Sequence, residues 1–399
     1  MYGCDSMHKK LFLIEFINSM LAMNSHRKYF FILSCTILFL TSCNHWKGKI
    51  AKETMAFDTV IYQKDPLATY VLDKRKSRCV VSDNLPVKNF AIVDSLMFVD
   101  TGRDHGMVEV LSMNDFLSKG SFGNKGRASG EFTNGINLGL YTTFRKKGNT
   151  LCATLYDMVT GKVFSVDISS FLKHGKAILV EEFKNTEIPQ PAFWVKQLSD
   201  SVLFAKVLTN EETTQRRLLV RNGNVENLKS MAFADEFAVP QNTDFNMIST
   251  LIGVSPDQRK CVEAMLDMNY MNVYTPMSGK GFTVCCGDKL DLLSDALSLS
   301  KAERRYMFAD VRAYDFGFAV LKYDIDERTY EAGDDFKPTI LVLDWNGKSL
   351  GELKPNIKFN HFDMDVRKGF LYVLDAESRI RQYSIPAIKS WNNHSSRAK

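Results

Sequence analysis

Apolar and polar residues alternate along most of the chain in short runs of four to eight residues that are rich in Val, Phe and Tyr. Turns that are polar or contain Gly separate these runs, and both features are typical of β-strands. Clear examples are residues 96–100, 107–111, 162–168, 201–207 and 370–374. Helical periodicity is convincing in few places, of which residues 290–299 predict a helical insertion at the surface. The pattern therefore predicts an all-β protein.

A two-strand unit recurs six times along the chain. Each unit begins with an alternating strand, crosses a turn with Asp, Gly or Asn, and enters a second strand that often ends on Asp. The units begin at residues 90, 136, 192, 247, 307 and 362, at intervals of 46 to 60 residues. Repeats of this length are typical of β-propeller blades, whose radial closure leaves only short sheet edges. The predicted fold is a six-bladed β-propeller over residues 55–390, with a two-domain β-sandwich as the alternative.

Closure of the ring needs a strand from elsewhere in the chain. The last repeat, residues 360–385, leaves little chain for a fourth strand. We therefore predict that an N-terminal strand within residues 55–63 or 69–73 joins the last blade. Within an earlier blade, Asn346-Gly347 is a strong signal for a two-residue hairpin turn.

The N-terminal region contains an export signal. An uncharged apolar run of 12 residues, 29–40, follows the cations Arg27 and Lys28. A membrane-spanning helix needs about 20 residues, whereas a run of this length behind positive charges fits the apolar region of a secretory signal. Met23 opens a complete signal of its own, so we hypothesise that translation begins there. The small residues before Cys43 favour cleavage after Ser42.

This cleavage divides the chain into four parts. Residues 1–42 are the predicted signal region, 43–54 a short polar tether that begins with Cys43, 55–390 the propeller, and 391–399 a C-terminal tail.

Charge and cysteine content exclude further classes of protein. The chain has 51 basic and 46 acidic residues, and a net charge of +5 is low for a nucleic-acid-binding protein of this size. Five of the eight cysteines lie beyond Cys43, and an odd number in a long chain argues against a disulfide framework. The adjacent Cys285 and Cys286 have no Cys or His at metal-ligand spacing nearby, so we interpret them as small apolar residues.

Motifs for catalysis are scarce. The chain has no His-Glu-x-x-His, Gly-x-Ser-x-Gly or paired-Cys metal motif, so no catalytic residue and no metal ligand is predicted. Polar residues near the predicted inner strands are candidates for binding a ligand in the central channel. These candidates are Arg103, Asp104, Arg312, Asp315, Asp365 and Arg367. No cofactor is predicted, although residue spacing leaves open a Ca²⁺ site built from several blades.

A family resemblance rests on the tetrapeptide that ends in Cys43, on the six repeats, and on the Gly-rich segment 118–132, Ser-Lys-Gly-Ser-Phe-Gly-Asn-Lys-Gly-Arg-Ala-Ser-Gly-Glu-Phe. Together they resemble the TolB-like six-bladed β-propeller lipoproteins of Gram-negative bacteria. In related propellers a stretch ending in Pro-Gly-Glu-Phe links one blade to the next; here it reads Ser129-Gly130-Glu131-Phe132. The resemblance implies a diacylglycerol and an N-acyl chain such as palmitate on Cys43. It also implies the outer membrane, at its periplasmic face, and Asn44 after the Cys favours that sorting.

Three functions are compatible with the predicted fold and export signal. The leading hypothesis is a lipid-anchored module that binds or scaffolds a protein or glycan, with the membrane reached through Cys43 and no nucleic-acid partner. The alternative is a propeller hydrolase or lyase that acts on a sugar or lactone in an axial channel. The third is a purely structural envelope lipoprotein. Since no catalytic motif is present, the sequence favours a binding protein over an enzyme.

Overall fold

The computed structural model describes residues 52–385, apart from 83, 134, 135, 140, 185, 210–212, 334 and 335. The predicted signal region 1–42, the lipid attachment site Cys43, most of the tether and the C-terminal tail 391–399 lie outside the described residues. No helix within the described ranges is long and apolar enough to cross a membrane.

The described residues form 26 strands in six sheets. Three short strands come first: β1 (Val60–Gln63), β2 (Thr69–Leu72) and β3 (Arg78–Val81). Blade I contains β4 (Asn89–Val93), β5 (Leu96–Asp100), β6 (His105–Ser112) and β7 (Ser118–Asn124). Blade II contains β8 (Thr142–Lys147), β9 (Thr150–Asp157), β10 (Lys162–Asp167) and β11 (Leu179–Glu182). Blade III contains β12 (Ala192–Ser199), β13 (Val202–Leu208), β14 (Gln215–Arg221) and β15 (Asn224–Asn227).

The remaining three blades follow the same plan. Blade IV contains β16 (Thr250–Val254), β17 (Cys261–Met265), β18 (Tyr270–Tyr274) and β19 (Gly281–Cys286). Blade V contains β20 (Arg305–Ala313), β21 (Gly317–Asp326), β22 (Thr339–Asp344) and β23 (Ser349–Pro355). Blade VI contains β24 (Phe359–Asp365), β25 (Phe370–Asp375) and β26 (Ile380–Ser384). The predicted six-bladed propeller is therefore confirmed.

The first strand of each blade lies innermost. Contacts join β8 to β12, β16 to β20, β20 to β24, and β24 to β4. Because successive strands within a blade are antiparallel, the turns alternate between two faces of the ring. We call the face with the turns between first and second strands the first-turn face, and the opposite one the second-turn face.

An apolar cluster lies between each pair of neighbouring blades, because the middle strands of the blades bury apolar side chains there. Phe98 of blade I packs on Phe144 of blade II at 4.4 Å between ring centroids, and Phe318 of blade V packs on Trp345 against blade IV. Strand β13 is buried along its whole length. Each large side chain removed from water contributes about 1.5–3 kcal/mol, so these clusters hold the ring together.

Ring closure differs from the prediction in one respect. The strand that completes blade VI is β3, antiparallel to β26, not a strand within 55–63 or 69–73. The two earlier strands add instead to outer edges, β1 parallel to β19 of blade IV and β2 parallel to β23 of blade V. The N-terminal chain thus passes along blades IV, V and VI in turn. That prediction was wrong because three short strands follow one another here, and their sequences do not specify which edge each one pairs with.

Short helices and turns complete the blades. The helices are α1 (Ile168–His174), α2 (Ala232–Asp235), α3 (Leu293–Ser298) and α4 (Glu327–Glu331). Helix α3 confirms the helical insertion predicted for 290–299, and the Asn346-Gly347 turn joins β22 to β23, with Gly347 at φ 79°. The backbone N–H of Ser170 in α1 donates to Asp167 at 2.8 Å, and Gly175 ends the helix at φ 70°.

Candidate functional site

Arg312 on β20 joins the inner strands of three blades. Its Nε donates to the backbone oxygen of Phe362 in blade VI at 2.8 Å. Its Nη2 lies 3.0 Å from Asn89 Oδ1 and 3.1 Å from the oxygen of Phe90, both in blade I. Because blade VI lies between blades V and I, one guanidinium connects three consecutive blades beside the axis.

Carboxylates surround this guanidinium. Asp310 Oδ2 accepts from Arg312 at 3.1 Å and lies 3.2 Å from His361 Nδ1. Burial alone would raise the pKa of Asp310, but Arg312 and His361 outweigh burial and lower it. Asp363 accepts from the hydroxyl of Tyr314 at 2.9 Å, and burial raises its pKa. His361 retains 25% exposure of its side chain and is the accessible member of this group.

Lys196 on β12 extends the polar axis towards blades II and III. Its Nζ donates to the backbone oxygens of Gly139 at 2.5 Å and Thr142 at 2.9 Å. Burial lowers the pKa of Lys196 to about 7, and the charge of Arg312 acts in the same direction. With Lys196 and Arg312 buried and hydrogen-bonded, the axis is bridged by groups that hold inner strands together.

A second buried ionic cluster joins blades III and IV. Arg217 on β14 donates to both oxygens of Glu263 on β17, at 2.9 and 2.7 Å, and to Asp235 on α2 at 2.9 Å. Lys206 Nζ lies 3.6 Å from Glu263, and Tyr274 donates to Glu263 at 2.9 Å. All its donors and acceptors face one another in the core, so this cluster is structural.

The six residues that the sequence predicts to bind a ligand in a central channel do not lie together in the structure. Arg103 and Asp104 are exposed on the second-turn face, where Asp104 lies 3.8 Å from Lys125. Asp315 and Arg367 are in turns of the opposite face.

The other two candidates are buried. Asp365 ends β24, with its Oδ1 accepting from the backbone of Lys368 and its Oδ2 buried without a hydrogen-bond partner among the described residues. Arg312 alone of the six candidates donates hydrogen bonds to the inner strands of two other blades. A channel ligand that uses all six therefore stays a prediction.

A cavity of about 320 Å³ opens between blades II and III towards the first-turn face. We call it the II/III cleft. One side of the blade II sheet forms its floor, because alternate residues of β8 to β11 point the same way. Blade III contributes Gln197 at its inner end. The floor residues are Cys152, Thr154, Ser165, Asp167 and Glu182, the inner rim consists of Arg145 and Lys147, and the outer rim consists of Lys176, Ile178 and Val180.

The floor is polar where a blade interface is usually apolar. Thr154 donates to Gln197 across the cleft, and Ser165 donates to Glu182 at 2.7 Å. Burial, with Asp167 nearby, raises the pKa of the Cys152 thiol. The other half of the same surface, with Tyr156 and Val163, packs apolar groups on blade III. Blade III therefore covers only part of this surface.

Cations line the inner and outer rims of the II/III cleft. Arg145 Nη2 and Lys147 Nζ pair with the exposed Asp200 of blade III at 2.9 and 2.8 Å, and these cations lower the pKa of Asp200. Arg145 Nε is buried without a hydrogen-bond partner among the described residues. Such a donor costs about 1–3 kcal/mol. Lys176 lines the cleft after α1 and is exposed.

The sequence of blade II contains a pattern that indicates this cleft. In Thr150–Asp157 and Lys162–Asp167, polar side chains occupy alternate positions on one face, and the opposite face carries Leu151, Ala153 and Phe164. Middle strands of a propeller blade are usually covered on both faces, so this alternation indicates a face only partly covered. Lys196 gave a similar signal, since a lysine in an otherwise buried strand needs a buried partner.

No group of His, Cys, Asp and Glu within the described ranges has an arrangement that holds a metal ion. No protein-family model and no curated protein matches the chain.

Solved structures resemble its fold. A putative exported protein of Bacteroides fragilis aligns at 12% identity and a TM-score of 0.47, over 82% of this chain and 99% of that one. A DUF4221-family member from Bacteroides vulgatus aligns at 11% and 0.46, over 84% and 98%. The calcium-binding protein regucalcin of Agrobacterium tumefaciens aligns at 11% and 0.41, over 80% and 95%. The six-bladed architecture itself rests on the strand pairing described above.

Proposed function

We propose that this protein is a lipid-anchored envelope propeller of the TolB-like kind that binds a polar ligand, a glycan or a group on a protein, in the II/III cleft. The observation that carries the proposal is the open cavity whose floor is lined by hydroxyl, thiol, amide and charged side chains. Ligand sites are concave surfaces on which a few polar groups converge.

The axial channel is a less suitable site for this ligand. Arg312 and Lys196 donate hydrogen bonds to backbone oxygens of other blades. A ligand at the axis would have to replace these bonds, whereas the cleft offers accessible groups.

Binding is tested by thermal melting of the detergent-solubilised full chain with a panel of neutral and charged oligosaccharides and short peptides. A ligand of the folded state raises the melting temperature. We expect at least one compound to do so in the wild type and not in Ser165→Leu, which fills the cleft floor. Lys162→Gln is the matched control, because Lys162 lies on the same strand but points to the other side. A shift that persists in Ser165→Leu, or no shift with any compound, would contradict the proposal.

The lipid anchor is tested separately. We expect protein from the membrane fraction of a Gram-negative host to begin at Cys43 and to carry acyl chains in its intact mass. A Cys43→Ala variant should retain the signal region. An unacylated wild-type chain in the soluble fraction would refute this part of the proposal.

One observation favours the alternative of a sugar or lactone hydrolase. A buried carboxylate that orients a partly exposed histidine is a common arrangement for a general base, and Asp310 and His361 have it at 3.2 Å. Lactone hydrolysis that is lost in His361→Asn and kept in Ser165→Leu would favour this alternative over the binding module.

A further inference from the structure

We propose that the ligand of the II/III cleft is an acidic saccharide, a sugar chain that carries carboxylate groups. This inference rests on the cleft being the binding site. It adds the ligand class, which follows from the order of charged, hydroxylated and apolar groups along the cleft.

The inner rim is built to receive a carboxylate. Arg145 and Lys147 lie there side by side, and both pair with the same exposed carboxylate, that of Asp200. The side chain of Asp200 is 72% exposed, whereas that of Arg145 is 12% exposed. A ligand carboxylate has the same charge and geometry as the Asp200 side chain. It can therefore replace Asp200 as the partner of the two cations.

The floor suits sugar hydroxyls. Glu182 and Asp167 supply carboxylate acceptors, and the hydroxyl of Ser165 accepts as well as donates. These groups belong to three different strand positions along the cleft, so successive hydroxyls of one chain can reach them. A ligand with only a charged group, such as an inorganic anion, would donate nothing to the remaining acceptor positions of Glu182 and Asp167 and would face the repulsion of both carboxylates.

The outer rim carries an apolar patch beside the exposed Lys176. Ile178, just before β11, and Val180 in β11 line the cleft there, with 66% and 51% exposure. Exposed branched side chains next to polar groups match the face of a sugar ring, which carries C–H groups between its hydroxyls. From the inside outwards the cleft therefore offers two cations, acceptors, and an apolar patch with Lys176 at the outer rim. This arrangement fits an amphipathic, anionic ring compound.

The test uses isothermal titration of the detergent-solubilised full chain with two acidic probes, trigalacturonate and a hyaluronan tetrasaccharide, and a neutral probe, maltotriose. We expect at least one acidic probe to bind, with an affinity at least tenfold above that of maltotriose and decreasing with salt. Arg145→Gln should weaken it by tenfold or more. Because Arg145 is partly buried, its replacement could also affect folding. Lys147→Gln is therefore a second variant, and it should weaken the affinity for the acidic probe as well. Arg259→Gln, an exposed cation paired with Asp257 outside the cleft, should leave the affinity unchanged.

The outcomes separate the ligand class from the site. Maltotriose or an uncharged peptide that binds as tightly as the acidic probes and loses affinity in Ser165→Leu would overturn the acidic saccharide and leave the cleft as the site. Acidic binding that is unchanged in both Arg145→Gln and Lys147→Gln would overturn the assignment of the inner rim. Sulfate alone binding as tightly as both acidic probes would refute the role given to the hydroxyl acceptors.

Discussion

Replacing Glu263 by Gln tests the buried ionic cluster that joins blades III and IV. Glu263 is fully buried and accepts two hydrogen bonds from Arg217, one from Tyr274 and one from Thr250, with Lys206 3.6 Å away. Burial alone would raise the pKa of Glu263, but the charges of Arg217 and Lys206 outweigh burial and lower it to about 2. The Gln side chain keeps the shape of Glu and removes the charge, so Arg217 would keep only Asp235 as a carboxylate partner and Lys206 would lose the carboxylate that it lies beside.

Removing one partner of a buried ion pair costs about 3–5 kcal/mol of folding free energy. This is a large part of the roughly 5–15 kcal/mol that stabilises a typical domain. The assay is urea unfolding of the full chain followed by tryptophan fluorescence. Trp194 is a local reporter, because its ring lies 5.5 Å from Lys206 Nζ. The control is Arg259→Gln, which breaks an exposed pair worth about 0–1 kcal/mol.

The pH dependence gives a second readout of the same cluster. Because the pKa of Glu263 is lower in the folded state, its contribution is fully present above about pH 4.5 and is lost as the pH falls towards 2. The wild type should lose more stability than Glu263→Gln over this range. A loss below about 1 kcal/mol in Glu263→Gln at neutral pH would refute the reasoning, since it would mean that the two cations do not need this carboxylate.

Three further predictions concern the axis, the ring closure and the thiols. Because the pKa of Lys196 is lowered to about 7, stability should rise with pH between 7 and 9.5, and Lys196→Met should reduce that rise by on the order of 2 kcal/mol in urea unfolding. Val81→Asp in the closing strand should lower the free energy of unfolding by about 3 kcal/mol, because Val81 is only 6% exposed. Val71→Asp, at a position that is 74% exposed, should change it by less than about 0.5 kcal/mol. The exposed Cys79 should react with a thiol reagent in the folded protein, and the buried Cys261 only after unfolding, as peptide mass mapping would show.

The repeat was readable from the sequence because each blade begins with an alternating strand and a turn. The observed inner strands begin at Asn89, Thr142, Ala192, Thr250, Arg305 and Phe359, within about six residues of the predicted starts. The closing strand was not readable. The pairing of β1, β2 and β3 depends on which sheet edge each strand meets, and side-chain pattern carries no information about that choice.

The candidate site was harder to predict than the fold. Charged residues at the ends of predicted inner strands indicated candidates near the axis, and Arg312 was one of them. The sequence does not show that Arg312 binds backbone oxygens of two other blades. The II/III cleft depends on where blade III stops covering blade II, which is a property of the packing. Cys152 and Ser165 are unremarkable residues in sequence and become a site only through that uncovered surface.

Protection of Cys152 from alkylation tests the central claim most directly, because this thiol lies in the II/III cleft. The raised pKa of Cys152 slows its alkylation, so iodoacetamide is used at alkaline pH, and peptide mass analysis follows Cys152 and the exposed Cys79 in the same sample. With a saturating amount of whichever acidic probe binds, trigalacturonate or the hyaluronan tetrasaccharide, we predict that Cys152 reacts several-fold more slowly while Cys79 reacts at an unchanged rate. If an acidic saccharide binds to the chain and Cys152 reacts as fast as without it, the ligand lies elsewhere and the account is contradicted.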